Sequence, residues 1–346
     1  MKTTNPLSYF RPSILKMKGY SSAAREGEAV SMKLDANESP WSYSDDGYNL
    51  YPPPQPRELL ERIAKLNQIP PNTLLMTRGI DEAIDLLIRS FCEPYSDSIL
   101  IQPPTYGYYQ VAAEGQGCLI EKVPLLEDFS LDPALFQKKS SKIIFICNPN
   151  NPTGNLFSRS KILEIAAQFE GMVVVDEAYI EFCEGSSVLD QISEFPNLIV
   201  MRTFSKAWAS AGLRVGWIAA NPSVIEVLNK VIAPYPISQP SLQALETRLA
   251  PSGVDSMRSG VQQNENLKAD MIRQLKDIKG VLKIFPSSTN FLLVKVRDPS
   301  SLCLELRKQG ISIRDRSQDV PGTVRITVGD KETNSQLLDA LRLLLP

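Results

Sequence analysis

From Thr73 to Ala220 the chain alternates short, β-rich apolar runs with segments whose apolar residues recur at helical spacing. LLMT (74–77) leads to Gly79 and then to Ala83, Ile84, Leu87, Ile88 and Phe91 on one helical face. Ser98–Gln102, Cys118–Val123, Lys142–Cys147, Met172–Asp176, Asn197–Thr203 and Gly216–Ala220 read as further strands. Helices are expected over Tyr106–Ala113 and Ser160–Phe169. Strands this apolar must be covered on both faces, and their alternation with helices predicts an α/β fold with a mostly parallel sheet between helical layers.

The flanks read differently. Residues 1–45 have no clean period and predict an N-terminal arm with a little extended structure near Ser31–Leu34. YPPPQP (51–56) is stiff and cannot join a helix or a central strand. A helix is expected from Arg57 to Asn67, and another over Val224–Ile232. APYPISQP (233–240) is hinge-like, and a helical region from Leu242 to Ile278 is expected to break at PSG (251–253). The tail predicts a smaller α+β unit with Phe291–Val296, Leu302–Gln309, Ile311–Arg314, Val324–Val328 and a last helix over Gln336–Leu345. The expected plan is an arm (1–45) that contributes to the small domain, a large domain (46–240) and a small C-terminal domain (241–346).

Composition narrows the chemistry. A net charge of −2 without a basic run argues against a nucleic-acid partner. No window approaches a membrane span, and the first twenty residues hold no apolar core of signal-peptide length, so a cytoplasmic protein is expected. Five cysteines, never spaced as CxxC, read as small buried hydrophobes. There is no histidine, which excludes histidine-based triads and most catalytic zinc sites, so no metal is expected. Acid–base work falls to Lys, Tyr, Asp, Glu or a cofactor.

Lys206 sits in TFSKAWASAGLR (203–214), a poor setting for a solvated ammonium. A desolvated lysine gives up its proton more easily and becomes a nucleophilic amine, suited to carrying an aldehyde as a Schiff base. In open parallel sheets ligands bind beyond the carboxyl ends of the strands. There this chain offers Gly79, Ile80 and Asp81, then Tyr106, Asn151, Asp176 with Tyr179, Ser205 with Lys206, and Arg214. Each has a use around a phosphorylated pyridine aldehyde. Gly79 lets helix N-terminal amides approach a phosphate. Tyr106 offers a flat ring, Asp176 a partner for a protonated pyridine nitrogen, and Asn151 and Tyr179 hydrogen bonds to a phenolic oxygen. Asp81 and Glu82 in the same first turn would repel a phosphate unless they point away or are outweighed. Each residue also has an ordinary role: Asp176 as a cap, NPTG as a turn, Gly79 as punctuation, Arg214 as a surface ion pair, the tyrosines as packing.

Taken in order, NNPTG (150–154), DEAY (176–179) and SKAWASAGLR (205–214) resemble the fold type I pyridoxal 5′-phosphate (PLP) aminotransferases. LDANESPW, YPPPQP, TRGIDEAIDLLIR, PPTYGYY, VIAPYPIS and VRITVG are similar, more narrowly, to the histidinol-phosphate aminotransferase family. The resemblance implies PLP as cofactor. Lys206 would form the imine to it and move the proton between substrate Cα and the cofactor. Asp176 would hold the pyridine nitrogen, Asn151 and Tyr179 the phenolic oxygen, and Tyr106 the ring. Backbone of Gly79, Ile80 and Asp81, with Ser205 and Arg214, would hold the phosphate. Tyr51 would reach the cofactor phosphate of a neighbouring subunit in a homodimer.

On the substrate side the resemblance implies Arg325 and Arg314 at the anionic end, with Tyr20 and Asn37 near the substrate. The extra Arg316 in SIRDR leaves open which of Arg314 and Arg316 serves. Two arginines suit a phosphate or a carboxylate. The implied reaction is transamination between L-histidinol phosphate, a phosphorylated amino alcohol, and 2-oxoglutarate, giving imidazole acetol phosphate and glutamate. Rival readings are an aromatic aminotransferase, a PLP decarboxylase of a phosphorylated amino acid, and a non-catalytic PLP-binding regulator.

Overall fold

The computed structural model describes residues 5–20, 34–44, 46–137 and 139–345. The extended structure expected near Ser31–Leu34 falls largely on residues 31–33, outside the described residues.

The described chain opens with a short helix α1 (Pro12–Lys16) and α2 (Arg57–Asn67), followed by β1 (Leu74–Thr77) and α3 (Gly79–Phe91). Next come β2 (Ser98–Ile101), α4 (Tyr108–Gly115), β3 (Leu119–Lys122), β4 (Ile143–Cys147), α5 (Arg159–Gln168) and β5 (Met172–Asp176). Then β6 (Leu198–Thr203) and β7 (Gly216–Ala219) complete a seven-stranded sheet in the order β1-β7-β6-β5-β4-β2-β3. The pairs from β3 across to β6 are parallel, whereas β7 runs antiparallel to both β6 and β1. Six strands therefore point the same way. Gly216, the first residue of β7, pairs with Thr77 and Thr203, the last residues of β1 and β6. The segment entering β7 thus reaches the same edge as the strand ends.

Alternation explains the layers. Ile143, Phe145 and Cys147 of β4 face one apolar cluster with α3, α4 and residues of α6 (Pro222–Val231). Ile144 and Ile146 face another, with residues of α2 and α5. Both faces are covered, as the run of apolar residues requires.

α7 (Gln239–Arg248) and α8 (Pro251–Lys276) lead into a four-stranded antiparallel sheet, order β10-β11-β9-β8. Its strands are β8 (Val281–Ile284), β9 (Phe291–Val296), β10 (Arg314–Asp315) and β11 (Thr323–Thr327), covered by α8, α9 (Pro299–Lys308) and α10 (Lys331–Leu344) around a separate apolar cluster.

Several boundaries differ from the sequence reading. Phe10 and Ile14 of the arm join the core of the large sheet, Phe10 lying 4.1 Å from the Phe91 ring, so this part of the arm packs on the large unit and not the small one. Leu242, Leu245 and Leu249 also join the large unit, which moves its limit beyond residue 240. The helical region does break at PSG as expected: α7 ends at Arg248 and Pro251 opens α8, where a missing N–H is no loss. β8 is an edge strand with Leu282 and Lys283 exposed, so it lacks the alternation that would mark it. α10 starts five residues before Gln336 because Asp330 caps it, accepting from Thr333 N at 2.8 Å.

Phe10 is 3% exposed. Phe10→Ala should lower unfolding stability by about 3–5 kcal/mol, read from urea denaturation. No change would show that the arm packs without contributing.

Candidate active site

Beyond the carboxyl ends of the strands lies a cavity of about 250 Å³. Ile80, Asp81, Tyr106, Asn151, Asp176, Tyr179, Ser205, Lys206, Arg214 and Arg325 all line it. Residues far apart in sequence meet here because six strands end at one edge and β7 begins there.

Asp176 ends β5 and is 2% exposed. Its Oδ2 accepts from Tyr109 Oη at 2.7 Å and its Oδ1 from Ala178 N at 3.1 Å. Burial pushes this carboxyl up to about 6, against the pull of those two donors. Lys206 follows β6, with Nζ 5.6 Å from the Tyr179 ring centroid. Burial lowers its pKa, nearby Arg325 lowers it further, and Asp176 and Asp81 oppose. The amine thus holds its proton less tightly than a solvated lysine does, as desolvation of the loop predicts.

The start of α3 answers the question of its two acids. Glu82 folds back to accept from Arg78 N at 2.7 Å and Arg78 Nε at 2.9 Å, capping its own helix. Asp81 accepts from Arg214 Nη2 at 2.9 Å and from Tyr106 Oη at 3.1 Å. An anion at this helix end would share Arg214 with Asp81. Gly79 has φ +76, and a Cβ there would stand 3.0 Å from Arg214 Nη2. Arg214 itself lies in the left-handed region at φ 53. Ser205 N donates to Thr203 Oγ1 at 3.1 Å, which shapes the turn into Lys206.

The second sheet supplies the opposite wall. Arg325 on β11 donates from Nη1 to Asn151 Oδ1 at 2.7 Å and lies 5.3 Å over the Phe291 ring. Tyr179 meets the same ring edge-on at 5.4 Å. Arg314 pairs in register with Arg325 but lines a neighbouring cavity of about 380 Å³, which Arg325 also borders. Arg316 instead places Nε 2.9 Å from Asp319 Oδ2.

Tyr20, Asn37 and Arg314 are not among the residues that line the lysine cavity; Tyr20 is 64% exposed and Asn37 is exposed with φ 55. Tyr51, expected to serve a neighbouring subunit, is exposed and stacks on Tyr235 at 4.4 Å. Sequence reasoning missed Tyr109, fully buried and stacked on Phe145 at 4.9 Å. Its spacing, three residues after Tyr106 in PTYGYY, was the available signal. Thr203 and Cys147 line the cavity as well.

The raised carboxyl of Asp176 fixes a sign. Its folded value of about 6 exceeds the ordinary 3.8, so the folded state holds the proton more tightly than the unfolded. The cost of ionising it is absent below about pH 4, grows between there and about pH 6, and is full above. Between pH 4 and pH 8 the stability of Asp176→Asn relative to the parent should rise by on the order of 2–3 kcal/mol, measured by urea denaturation of ligand-free protein. A flat difference across that range would refute the burial argument.

Comparison with known proteins agrees with this geometry. Residues 21–341 match the model of the family described as aminotransferase class I and II. The chain is 40% identical over 342 residues to histidinol-phosphate aminotransferase 1 of Haemophilus influenzae, covering 96% of this chain and 93% of the relative. It is 40% identical over 352 residues to the histidinol-phosphate aminotransferase of Escherichia coli O17:K52:H18, covering 99% of each. Among solved structures, histidinol-phosphate aminotransferase from Sinorhizobium meliloti in complex with pyridoxal-5′-phosphate superposes with a TM-score of 0.79 at 22% identity, over 98% of both chains. L-threonine-O-3-phosphate decarboxylase from Porphyromonas gingivalis gives 0.73 at 25% identity, over 85% of this chain and 93% of that one. The fold is thus shared by transaminases and decarboxylases. By sequence the assignment is direct: the chain is an enzyme of the class I and II aminotransferase family.

Proposed function

We propose that this enzyme transfers the amino group of L-histidinol phosphate to 2-oxoglutarate, giving imidazole acetol phosphate and glutamate, with pyridoxal 5′-phosphate held at Lys206. The observation that carries the reading is one cavity in which the lysine amine lies among Asp176, Tyr179 and Arg325. The near full-length relatives at 40% identity support the choice of substrate.

The residues present fit the cofactor. The absent Cβ of Gly79 keeps the start of α3 open beside Arg214, where helix amides and a guanidinium suit a phosphate. Asp176 is a buried carboxyl suited to a pyridine nitrogen, and Tyr106 offers a ring. Bound there, pyridoxal phosphate supplies an electron sink for charge developing at the substrate's Cα.

The chain's own residues do the rest. Lys206 Nζ, its proton affinity lowered by burial, takes the proton from Cα as general base. Tyr109 and the Ala178 amide hold Asp176 in place. Asn151 keeps Arg325 oriented, and Arg325 receives the anionic end of either substrate. Arg314 lines the adjoining cavity while Arg316 is paired with Asp319, which supports Arg314 as the residue that meets the phosphate of histidinol phosphate.

Trp41, Tyr43, Tyr48, Leu50 and Tyr51 are all exposed, which supports a homodimer in which this segment is covered and Tyr51 serves the neighbouring site. Among the described residues no helix is long and apolar enough to cross a membrane. We read the enzyme as cytoplasmic.

Turnover of histidinol phosphate, phenylalanine and threonine phosphate side by side tests the assignment. Histidinol phosphate should react fastest and Lys206→Ala should be inert; a preference for either rival, or no reaction with histidinol phosphate, overturns it. Arg325→Ala should raise KM for both substrates by about 10- to 100-fold, since a charged hydrogen bond is worth about 1.5–3 kcal/mol.

A further inference from the structure

The loop that carries Lys206 has a second side. Phe204 and Trp208 do not face the lysine cavity; they line another, of about 500 Å³, together with Glu181, Arg202 and Trp217. Trp208 Nε1 donates to Glu181 Oε1 at 3.4 Å. The other oxygen, Oε2, is shut off from solvent and has no hydrogen-bond partner among the described residues. Arg202 is already taken up by Glu177, Ser187 and Asn67. A carboxyl with one oxygen on a tryptophan indole and the other shut off from solvent is an unusual anchor, and its place in the fold gives it a purpose.

The loop needs an anchor. Ala209 has φ 48, a conformation that a residue with a Cβ adopts only under constraint. Ala209 N donates to Lys206 O at 3.0 Å and Ser210 N to Phe204 O at 3.0 Å, so the strained turn closes directly on the lysine. Ser210 Oγ donates to Trp208 O at 2.8 Å. Glu181 holds the residue between. It stands two residues after Tyr179, in the 3-10 turn Ile180–Phe182, and Tyr179 is the ring 5.6 Å from Lys206 Nζ. The Glu181–Trp208 hydrogen bond therefore ties the turn bearing Tyr179 to the loop bearing Lys206, from behind.

We propose that Glu181 is a positioning residue for Lys206, acting through the indole of Trp208. The proposal rests on the reading of Lys206 as the reacting amine. The surroundings of Glu181 add a signature. Burial pushes its carboxyl up to about 7; Arg202, its own backbone N–H and the Trp208 N–H pull it down, and Glu177 pushes it up. Cys183 and Glu184 on its own turn and Arg258 on α8 complete the ionisable lining. Loss or gain of the proton next to the indole changes the emission of Trp208.

The test has two arms. Tryptophan fluorescence of the holoenzyme, and of the same protein stripped of cofactor, should titrate with a midpoint near 7 in the parent and lose that transition in Glu181→Gln and in Trp208→Phe. In kinetics, Glu181→Gln keeps an acceptor for the indole and should hold kcat within about twofold, whereas Glu181→Leu and Trp208→Phe should lower kcat about tenfold with KM within about twofold. If Glu181→Leu fails to fold, Trp208→Phe and the fluorescence titration decide alone. A transition that persists in Glu181→Gln, equal kcat losses in the Gln and Leu variants, or an unchanged kcat in Trp208→Phe overturns the proposal. Turnover surviving in Lys206→Ala would instead sink the reading of the lysine.

Discussion

Withholding water from Asp176, and in part from the amine of Lys206, is the constraint from which the rest of the site follows. A carboxyl and an amine placed in bulk solvent near neutral pH would both be charged and heavily hydrated. At the ends of β5 and β6 the carboxyl is pushed up to about 6 and the amine is shifted down. Each shift has burial as its largest cause, and that of Asp176 depends on the apolar layers that close both faces of the sheet. Tyr109 shows how far the support reaches: its hydroxyl serves Asp176 while its ring packs on Phe145 inside the core.

Much of the large sheet was legible because its strands are buried on both faces. KIIFIC and MVVVD can be little else than central strands, and once their direction is shared, the residues that follow them must meet at one edge. Ile80, Asp81, Tyr106, Asn151, Asp176, Tyr179, Ser205, Lys206 and Arg214, which line the cavity, follow from that reasoning. What escaped it has a physical reason in each case. Tyr109 belongs to the core by its ring and to the site by one oxygen, and a sequence pattern registers only the first. β8 is a half-exposed edge strand without a regular period. The packing of Phe10 and Ile14 on the large unit escapes it because they are two apolar residues in a segment with no repeat, and only the surface they meet reveals their place.

The two acids at the start of α3 show how local geometry settles what composition leaves open. Both lie in a first turn that would have to receive an anion. Glu82 turns back to cap its own helix, and Asp81 is bound by Arg214 and the Tyr106 hydroxyl. The turn keeps its acids without presenting two bare carboxylates. The arginines of the small sheet divide in a similar way: Arg325 is oriented by Asn151 from across the cavity, while Arg316 is drawn to Asp319 on its own loop.

The reversed direction of β7 has one more consequence. Since β6 and β7 run opposite ways, Ser205, Lys206 and Arg214 all sit in a single loop tied at both ends into the same sheet. Their mutual spacing is carried by a short covalent path, whereas their spacing from Arg325 is carried by the packing of one unit on another. The molecule therefore has a fixed gauge for whatever is common to all its reactions and an adjustable one for whatever varies between them. On the proposed reading of Lys206 and Arg325, sequence change in the second unit can retune which molecules are accepted while the machinery that handles them stays in calibration.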